Sequence, residues 1–469
     1  PARSLLAMGG IFLAACLLWA LVPVPVGLKP QAWHLFIIFL MTIVGLIAQP
    51  FPLSVIALTG ITGAMLTGVL SPPQALSGFS SPVMWMIVVA ILISRAIIIS
   101  GLGERIAYTF IALLGRNSIG VAYGLGLTDL LLAPATPSAM ARGGAIVLPI
   151  ISSVAEAYGS EPRGPTAGRI GKYLMLTEAH MNSASGAIFL TGMAANPLMV
   201  GFAQKFGVQI SWMSWFGYAL VPGILAVLLT PLVVYLIAPP EIKRTPEASA
   251  NARAHLRAMG PLTTHEALVA GVIVLLIGLW TVGDFFLHIS STVSAIVGLL
   301  CLLFVGGLKW ADITGERSAW DTLIWFACLL TMAGFLNSLG FIPWFSGIIS
   351  GWVGGLSWPV AFLVLALVYF YAHYFFASLT SHVAAMYAAF VGTAIAAGVP
   401  PILAVMTLAF LSNYFSTVTH YGGAAPTLLF AQGFFGTGEW WVKNFAMSIF
   451  NLSIWIGVTA VWLRLLGAW

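Results

Sequence analysis

Apolar runs long enough to cross a bilayer recur from one end of this chain to the other, and no other feature constrains its fold as strongly. A run of about eighteen or more apolar residues spans the hydrocarbon core as a helix. Because lipid offers backbone amides and carbonyls no partner, only helices and closed barrels can cross it. Hydrophobic residues make up 60% of the 469 residues and charged residues 7%, against about 25% charged in a soluble domain. A set of aqueous globules is therefore excluded, and the expected class is an all-α integral membrane protein. The formal charge of +5 comes from basic residues scattered between the apolar runs. Orientation signals belong there, whereas a nucleic-acid site would gather them into a stripe. Cys16, Cys301 and Cys328 lie inside apolar runs without metal-ligand spacing, so they read as packing residues rather than a disulfide framework or zinc site.

Apolar runs bounded by glycine, proline and charge predict helices near 5–22, 33–48, 53–70, 83–100, 173–199 and 214–237 in the first half. The first run has no small-residue cleavage site after it and is expected to stay as a membrane helix. In the second half helices are predicted near 266–283, 291–307, 320–338, 357–372, 400–430 and 444–466. Two apolar stretches, 121–158 and 373–398, are too broken by proline and glycine for simple spans. They read as re-entrant hairpins, allowed where protein or a wet cavity satisfies the backbone. The polar segment between Pro239 and Pro261 carries Lys243, Arg244, Arg253 and Arg257 against Glu241 and Glu247, and reads as a solvated linker. The organisation is thus residues 1–238, a cytoplasmic linker over 239–262, and residues 263–469.

With the amino terminus in the cytoplasm and both broken segments returning to their own side, Arg105, Arg116, Arg163, Arg169, Lys172, the linker cluster, Lys309, Arg317 and Lys443 all fall inside. Lys29, Lys205 and Arg464 fall outside. That bias obeys the positive-inside rule and supports about eleven helices plus two re-entrant hairpins.

The halves also repeat one another weakly. Ser100-Gly101-Leu102-Gly103 and Asn337-Ser338-Leu339-Gly340 each close a tryptophan-containing span, and the stretch from Ser138 aligns without a gap onto the stretch from Ser378, setting Arg142 opposite His382. An odd number of crossings separates the copies, which makes the repeat inverted. Paired, interrupted segments in inverted repeats point to a binding site near the membrane midplane.

In the first hairpin, prolines end one half-helix and small residues open the next. Free amides there attract a carboxylate, and Thr136 and Ser138 add hydroxyls. Arg142 is expensive at this depth unless it faces water or an anion; it reads as a substrate or charge-compensating group, or as a structural partner of Asp129 or backbone carbonyls. In the second hairpin Ser378, Thr380 and Ser381 supply hydroxyls, while His382 is either a substrate donor or a satisfied buried histidine. His373 reads as structural. Each half then carries a glycine-rich interruption in a later helix, where Thr191, Asn196, Thr419 and His420 are the polar side chains placed to line a ligand. Glu178 and His180 read as a helix-end pair.

The runs TPSxxARGG, TGMAANPL, SLTSH and THYGGAAP, taken together over both halves, resemble the divalent anion:sodium symporter family, and within it the di- and tricarboxylate exchangers of the citrate:succinate and oxoglutarate:malate type. The resemblance implies a homodimeric secondary transporter working by an elevator movement, with a Ser-Asn-Thr motif in each hairpin holding substrate carboxylate and flanking sodium. Those motifs fall on Ser138-Ala139-Met140 and Ser378-Leu379-Thr380, and any sodium would sit near Ser138, Gly186, Ser378 and Gly422. Ala139, Met140 and Leu379 replace side chains that coordinate or donate, and His420 stands where a proline is usual. Backbone amides and Arg142 must then do more. Fewer sodium ligands favour exchange of one small carboxylate for another, with sodium symport as the alternative. A channel is the alternative of another class, and no His-Glu-x-x-His pattern suggests an enzyme. The expected setting is a bacterial inner membrane, with lipid and no nucleic acid as partner.

Overall fold

The computed structural model describes residues 2–287, 289–353 and 355–469. Its described residues are helical throughout, apart from turns and one isolated β-bridge. The first half runs α1 (Ala2–Leu21), α2 (Pro30–Ala48), α3 (Leu53–Leu66), α4 (Pro82–Ser100), α5 (Leu102–Leu114), α6 (Ser118–Leu132), α7 (Met140–Ala157), α8 (Gly171–Ile188), α9 (Ala195–Gln204) and α10 (Trp212–Ile237). After α11 (Pro246–Met259) the second half runs α12 (Thr264–Gly283), α13 (Ser291–Phe304), α14 (Arg317–Ser338), α15 (Phe341–Val353), α16 (Trp358–Tyr371), α17 (Leu379–Ala396), α18 (Pro401–Ser412), α19 (Ala424–Ala431) and α20 (Thr437–Leu465).

Among the described residues eleven helices are long and apolar enough to cross a membrane. The number matches the sequence expectation; the membership does not. Four of the eleven are hairpin arms, Ser118–Ala135, Met140–Ala157, Trp358–Phe375 and Leu379–Ala396, while α3, α13 and α18 are shorter apolar helices. The helix expected near 173–199 stops at Ile188, and the one near 400–430 is α18, an irregular turn and α19. Breaks in the two central helices and in the two hairpins are what bring irregular backbone together inside the protein, where it can be satisfied.

Two helices escaped the hydropathy reading. Helix α5 is short and amphipathic, and α15 is its counterpart, each following a glycine in the left-handed region, Gly101 at φ +77° and Gly340 at φ +95°. Glycine reaches that region without steric penalty. The turning glycines correspond two residues out of step with the motif alignment, which sets Gly103 against Gly340. Nor is the linker merely solvated: α11 lies along α5 and buries Ala248, Ser249 and Ala252, the serine hydroxyl donating to Ala112 O at 2.7 Å.

Helices α2, α3, α4 and α14 pack together, with α13 between α4 and α12. Helix α8 is buried along its length, enclosed by α6, α7, α10, α18 and α19. One junction ties the end of the linker to α5 and α12. Arg105 of α5 donates to both Glu266 oxygens at 2.7 and 3.1 Å and to the carbonyls of Met259, Gly260 and Pro261. Glu266 also closes a capping box with Thr263 at the start of α12. Charge-assisted bonds of this kind contribute about 1.5–3 kcal/mol each when partly buried. Arg105→Ala is expected to release the end of α11, seen as faster proteolytic cleavage near residue 260 with the membrane helices intact.

Candidate functional site

Both hairpins turn on a serine. Ser138 Oγ accepts from Ala141 N at 3.1 Å, and Ser378 Oγ accepts from Ser381 N at 3.3 Å, so each serine caps the helix it opens. Each of those helices then widens into a π-helical turn, Met140–Val147 and Val383–Tyr387, a distortion frequent at functional sites. The tips meet at a cavity of about 430 Å³. Ser138, Ala139 and Met140 enter from the first tip, and Leu379 and Thr380 from the second. The broken central helices supply Asn182, Ser183 and Gly186 on one side, and Asn413 and Ser416 on the other. Leu53, Ile91, Ser318, Thr322 and Trp325, from α3, α4 and α14, close the remaining wall. The volume lies in the range of small-molecule pockets. No lysine, arginine or histidine lines it among the described residues.

The sequence reading placed other groups here that the structure puts elsewhere. Arg142 is fully buried beneath the first tip. Its Nε donates to both Asp129 oxygens at 3.1 and 3.2 Å, Nη1 to Gly192 O at 2.7 Å and to Thr136 O, and Nη2 to Asn182 O at 3.4 Å. Its donors are thus spent on the protein, in the structural pairing rather than toward a ligand. Thr191 donates to Pro134 O at 2.6 Å and accepts from Trp212 Nε1 at 3.0 Å. Asn196 donates to Gly186 O and Phe189 O and accepts from Asn413 Nδ2 at 3.0 Å, bracing one broken helix against the other. Thr136, Thr419, His382 and Gly422 are buried behind the cavity wall; Ser378 is partly covered and does not line it either. His420 accepts from Trp441 Nε1 at 3.1 Å, away from the cavity. Glu178 and His180 are not a pair: His180 bonds Asn444 and Asn451 of α20. Sequence reasoning missed Asn182 and Asn413, both at the cavity and both in the central helices. Their only signal was an amide within a turn of each glycine-rich break.

Placing the halves in register shows why Arg142 and His382 correspond. Asp129 falls on Tyr369, Arg142 on His382, Asn182 on Ser412 and Gly192 on Gly422. Asp129 Oδ1 accepts from Asn182 at 2.8 Å, and Tyr369 bonds Ser412 at 2.7 Å. Arg142 reaches Gly192 O directly. His382 is shorter and reaches Gly422 O through a second imidazole, His382 Nδ1 to His373 Nδ1 at 2.9 Å and His373 Nε2 to Gly422 O at 2.8 Å. Because a carbonyl only accepts, His373 carries its hydrogen on Nε2 when neutral. His382 must then carry its own on Nδ1.

The sodium sites implied by the resemblance do not fit this backbone. Of the glycines named for sodium, Gly186 O accepts from Asn196 Nδ2 at 2.8 Å and Gly422 O from His373, while Gly192 O at the first break accepts from Arg142. Ser138 and Ser378 are engaged as caps, and Ala139, Met140 and Leu379 offer no side-chain oxygen.

The family described as the sodium:sulfate symporter transmembrane region matches residues 4–469. This chain belongs to that family. A protein named putative malate transporter YflS, from Bacillus subtilis, is 45% identical over 449 residues, covering 96% of this chain and 94% of its own. The chloroplastic dicarboxylate transporter 1 of Spinacia oleracea is 43% identical over 460 residues, 97% of this chain and 80% of its own. Inner membrane protein YbhI of Escherichia coli is 35% identical, with 95% of each chain covered. The solved structure of the Alcanivorax borkumensis YdaH transporter shares the fold at a TM-score of 0.55 and 15% identity, over 87% of this chain and 88% of that one. The family is one of multi-pass membrane transporters, not of enzymes.

Proposed function

We propose that this chain exchanges one small dicarboxylate for another across a bacterial plasma membrane, its amino terminus in the cytoplasm. The observation that carries the reading is the occupation of Gly192 O and Gly422 O by Arg142 and His373. Those N–H groups bring fixed donors to the carbonyls where a symporter would load a cation. The relatives named for malate and dicarboxylates supply the substrate class.

A dianion in this cavity meets the amides at the starts of α7 and α17 and the Thr380 hydroxyl, while the side-chain NH2 groups of Asn182 and Asn413, spent on Asp129, Ala139 O, Asn196 and Ala409 O, brace the wall around it. Helix N-termini and neutral donors hold carboxylates without a facing cation. Binding there is strongest when both tips are occupied together, which a molecule with two carboxylates does and a monocarboxylate does not. Five residues of the cavity wall belong to α3, α4 and α14, so a sliding of the hairpins and broken helices along that face would carry the ligand across. This is alternating access by an elevator, in the homodimer the resemblance implies. Exchange follows if the empty carrier cannot make that slide.

Counterflow in proteoliposomes tests the reading. Labelled malate or succinate is expected to enter only when unlabelled dicarboxylate is inside, with the same rate in sodium and in potassium. Uptake that follows a sodium gradient and ignores internal anion would establish symport instead, and flux without trans-stimulation would establish a channel.

A further inference from the structure

Among the described residues, Glu178 alone has two buried side-chain oxygens without a hydrogen-bond partner. It is 1% exposed, it sits on α8 one turn before the cavity residue Asn182, and neither carboxylate oxygen has a hydrogen-bond donor from the protein within reach. A carboxylate without donors in such a place is among the most expensive states a side chain can adopt, and such groups take up a proton instead.

The charges around it point the same way. Asp129 on α6 and Arg142 on α7 are the charged groups that face it. Its Oε1 lies against Gly143, the residue after Arg142, where an added Cβ would stand 3.3 Å away. Helices α18 and α19 bring no ionisable side chain, α10 brings only Tyr218 and Tyr235, the latter edge-on to Tyr173, and His180 on the same helix turns away to α20. On α20, Glu439 pairs with Lys172 and Lys443 donates to Ile237 O. Asp129 has already claimed the guanidinium through Nε. Two buried carboxylates beside one arginine leave a net negative charge; one carboxylate and one carboxylic acid leave none.

The other half of the protein supplies a control. In the register that sets Asn182 on Ser412, Glu178 falls on Leu408, which is fully buried. Packing at this place therefore asks for a neutral group. The second half has Tyr369, His382 and Leu408 where the first has Asp129, Arg142 and Glu178.

We infer that Glu178 is a proton-binding site linked to the first hairpin tip. With the proton on, Arg142 holds Gly192 O and Thr136 O and fixes the tip. With the proton released to water, Glu178 becomes a second anion competing for the guanidinium. Drawing Arg142 toward it takes the donors from those two carbonyls and loosens the tip. Asn182, which bonds both Asp129 and Ala139 O, carries the change to the cavity wall.

Two measurements test this. Infrared spectra of the purified protein at neutral pH should contain a protonated-carboxyl stretch that is missing in Glu178→Gln, and Glu178→Leu should fold with undiminished thermal stability. Exchange in proteoliposomes, which rests on the transport reading above, should fall about tenfold in the wild type between mildly acidic and alkaline buffer, while Glu178→Gln keeps the acidic rate throughout. A wild-type spectrum without that stretch, strong destabilisation by both variants, or superposable pH profiles would overturn the inference. Were exchange absent in every buffer, the transport reading would fall, and the infrared result would still decide the proton.

Discussion

Asp129→Ala should lower the stability of the unliganded protein by about 3–5 kcal/mol, the usual consequence of stranding one member of a fully buried ion pair. Both side chains are 0% exposed, so no water can replace the lost carboxylate. The guanidinium would keep its carbonyl partners but lose the charge that balances it. The expected readout is a large fall in thermal midpoint in detergent, without any ligand present. Asp129→Leu combined with Arg142→Met should recover most of the loss, because an apolar pair of similar volume leaves no unpaired charge. The experiment also separates the two roles open to Arg142. If it were a ligand-binding group, Arg142→Met would abolish the ligand-induced shift and leave the unliganded midpoint nearly unchanged. The geometry predicts the reverse order of effects, with stability lost first.

The second large effect is expected at the glycines of the two breaks. A Cβ on Gly192 would stand 2.9 Å from both Gly186 O and Ser185 O, backbone atoms that cannot swing aside. A Cβ on Gly422 would stand 2.7 Å from Ser416 O and 2.8 Å from His373 Nε2 and Thr419 Oγ1. Overpacking of this kind costs about 1–3 kcal/mol through displaced backbone. Here the displaced backbone is the wall and support of the cavity. Gly192→Ala is therefore expected to weaken dicarboxylate binding by about tenfold or more, each tenfold being about 1.4 kcal/mol. Gly422→Ala should do so to a lesser degree, since two of its three close neighbours are side-chain atoms. Calorimetric titration with succinate checks both. Unchanged affinity in Gly192→Ala would separate the break from the binding site.

A common design lies beneath both predictions. Each half breaks a central helix against its own hairpin, and each uses an N–H group from the hairpin region to hold the carbonyl at the break. The first half does this with one long cation and its counterion, the second with two stacked histidines among Tyr369, Phe376 and Phe415. The halves differ in charge while keeping the same bonds. That asymmetry is what ties the proposed Glu178 proton to the first hairpin.

How much of this was legible beforehand follows from the physics of each signal. Membrane helices were legible because lipid forces a continuous apolar run. The hairpin serines and Thr380 were legible because proline and glycine mark where a helix must stop, while Ala139, Met140 and Leu379 came from the family resemblance. Helices α5, α11 and α15 were not, since an amphipathic helix on a protein or membrane surface needs no long apolar run. Asn182 and Asn413 were overlooked because a lone amide in a buried helix looks the same whether it faces a cavity or a neighbour.

The sequence by itself determined an all-helical membrane protein with two broken segments in corresponding places, because backbone satisfaction in lipid and the stops imposed by proline and glycine are local rules. Only the tertiary structure decided which polar groups face the ligand. Arg142 and Asp129 sit on opposite arms of the first hairpin and meet only in the fold, and their mutual attraction in a dry interior withdraws the one cation that the sequence had offered to the substrate.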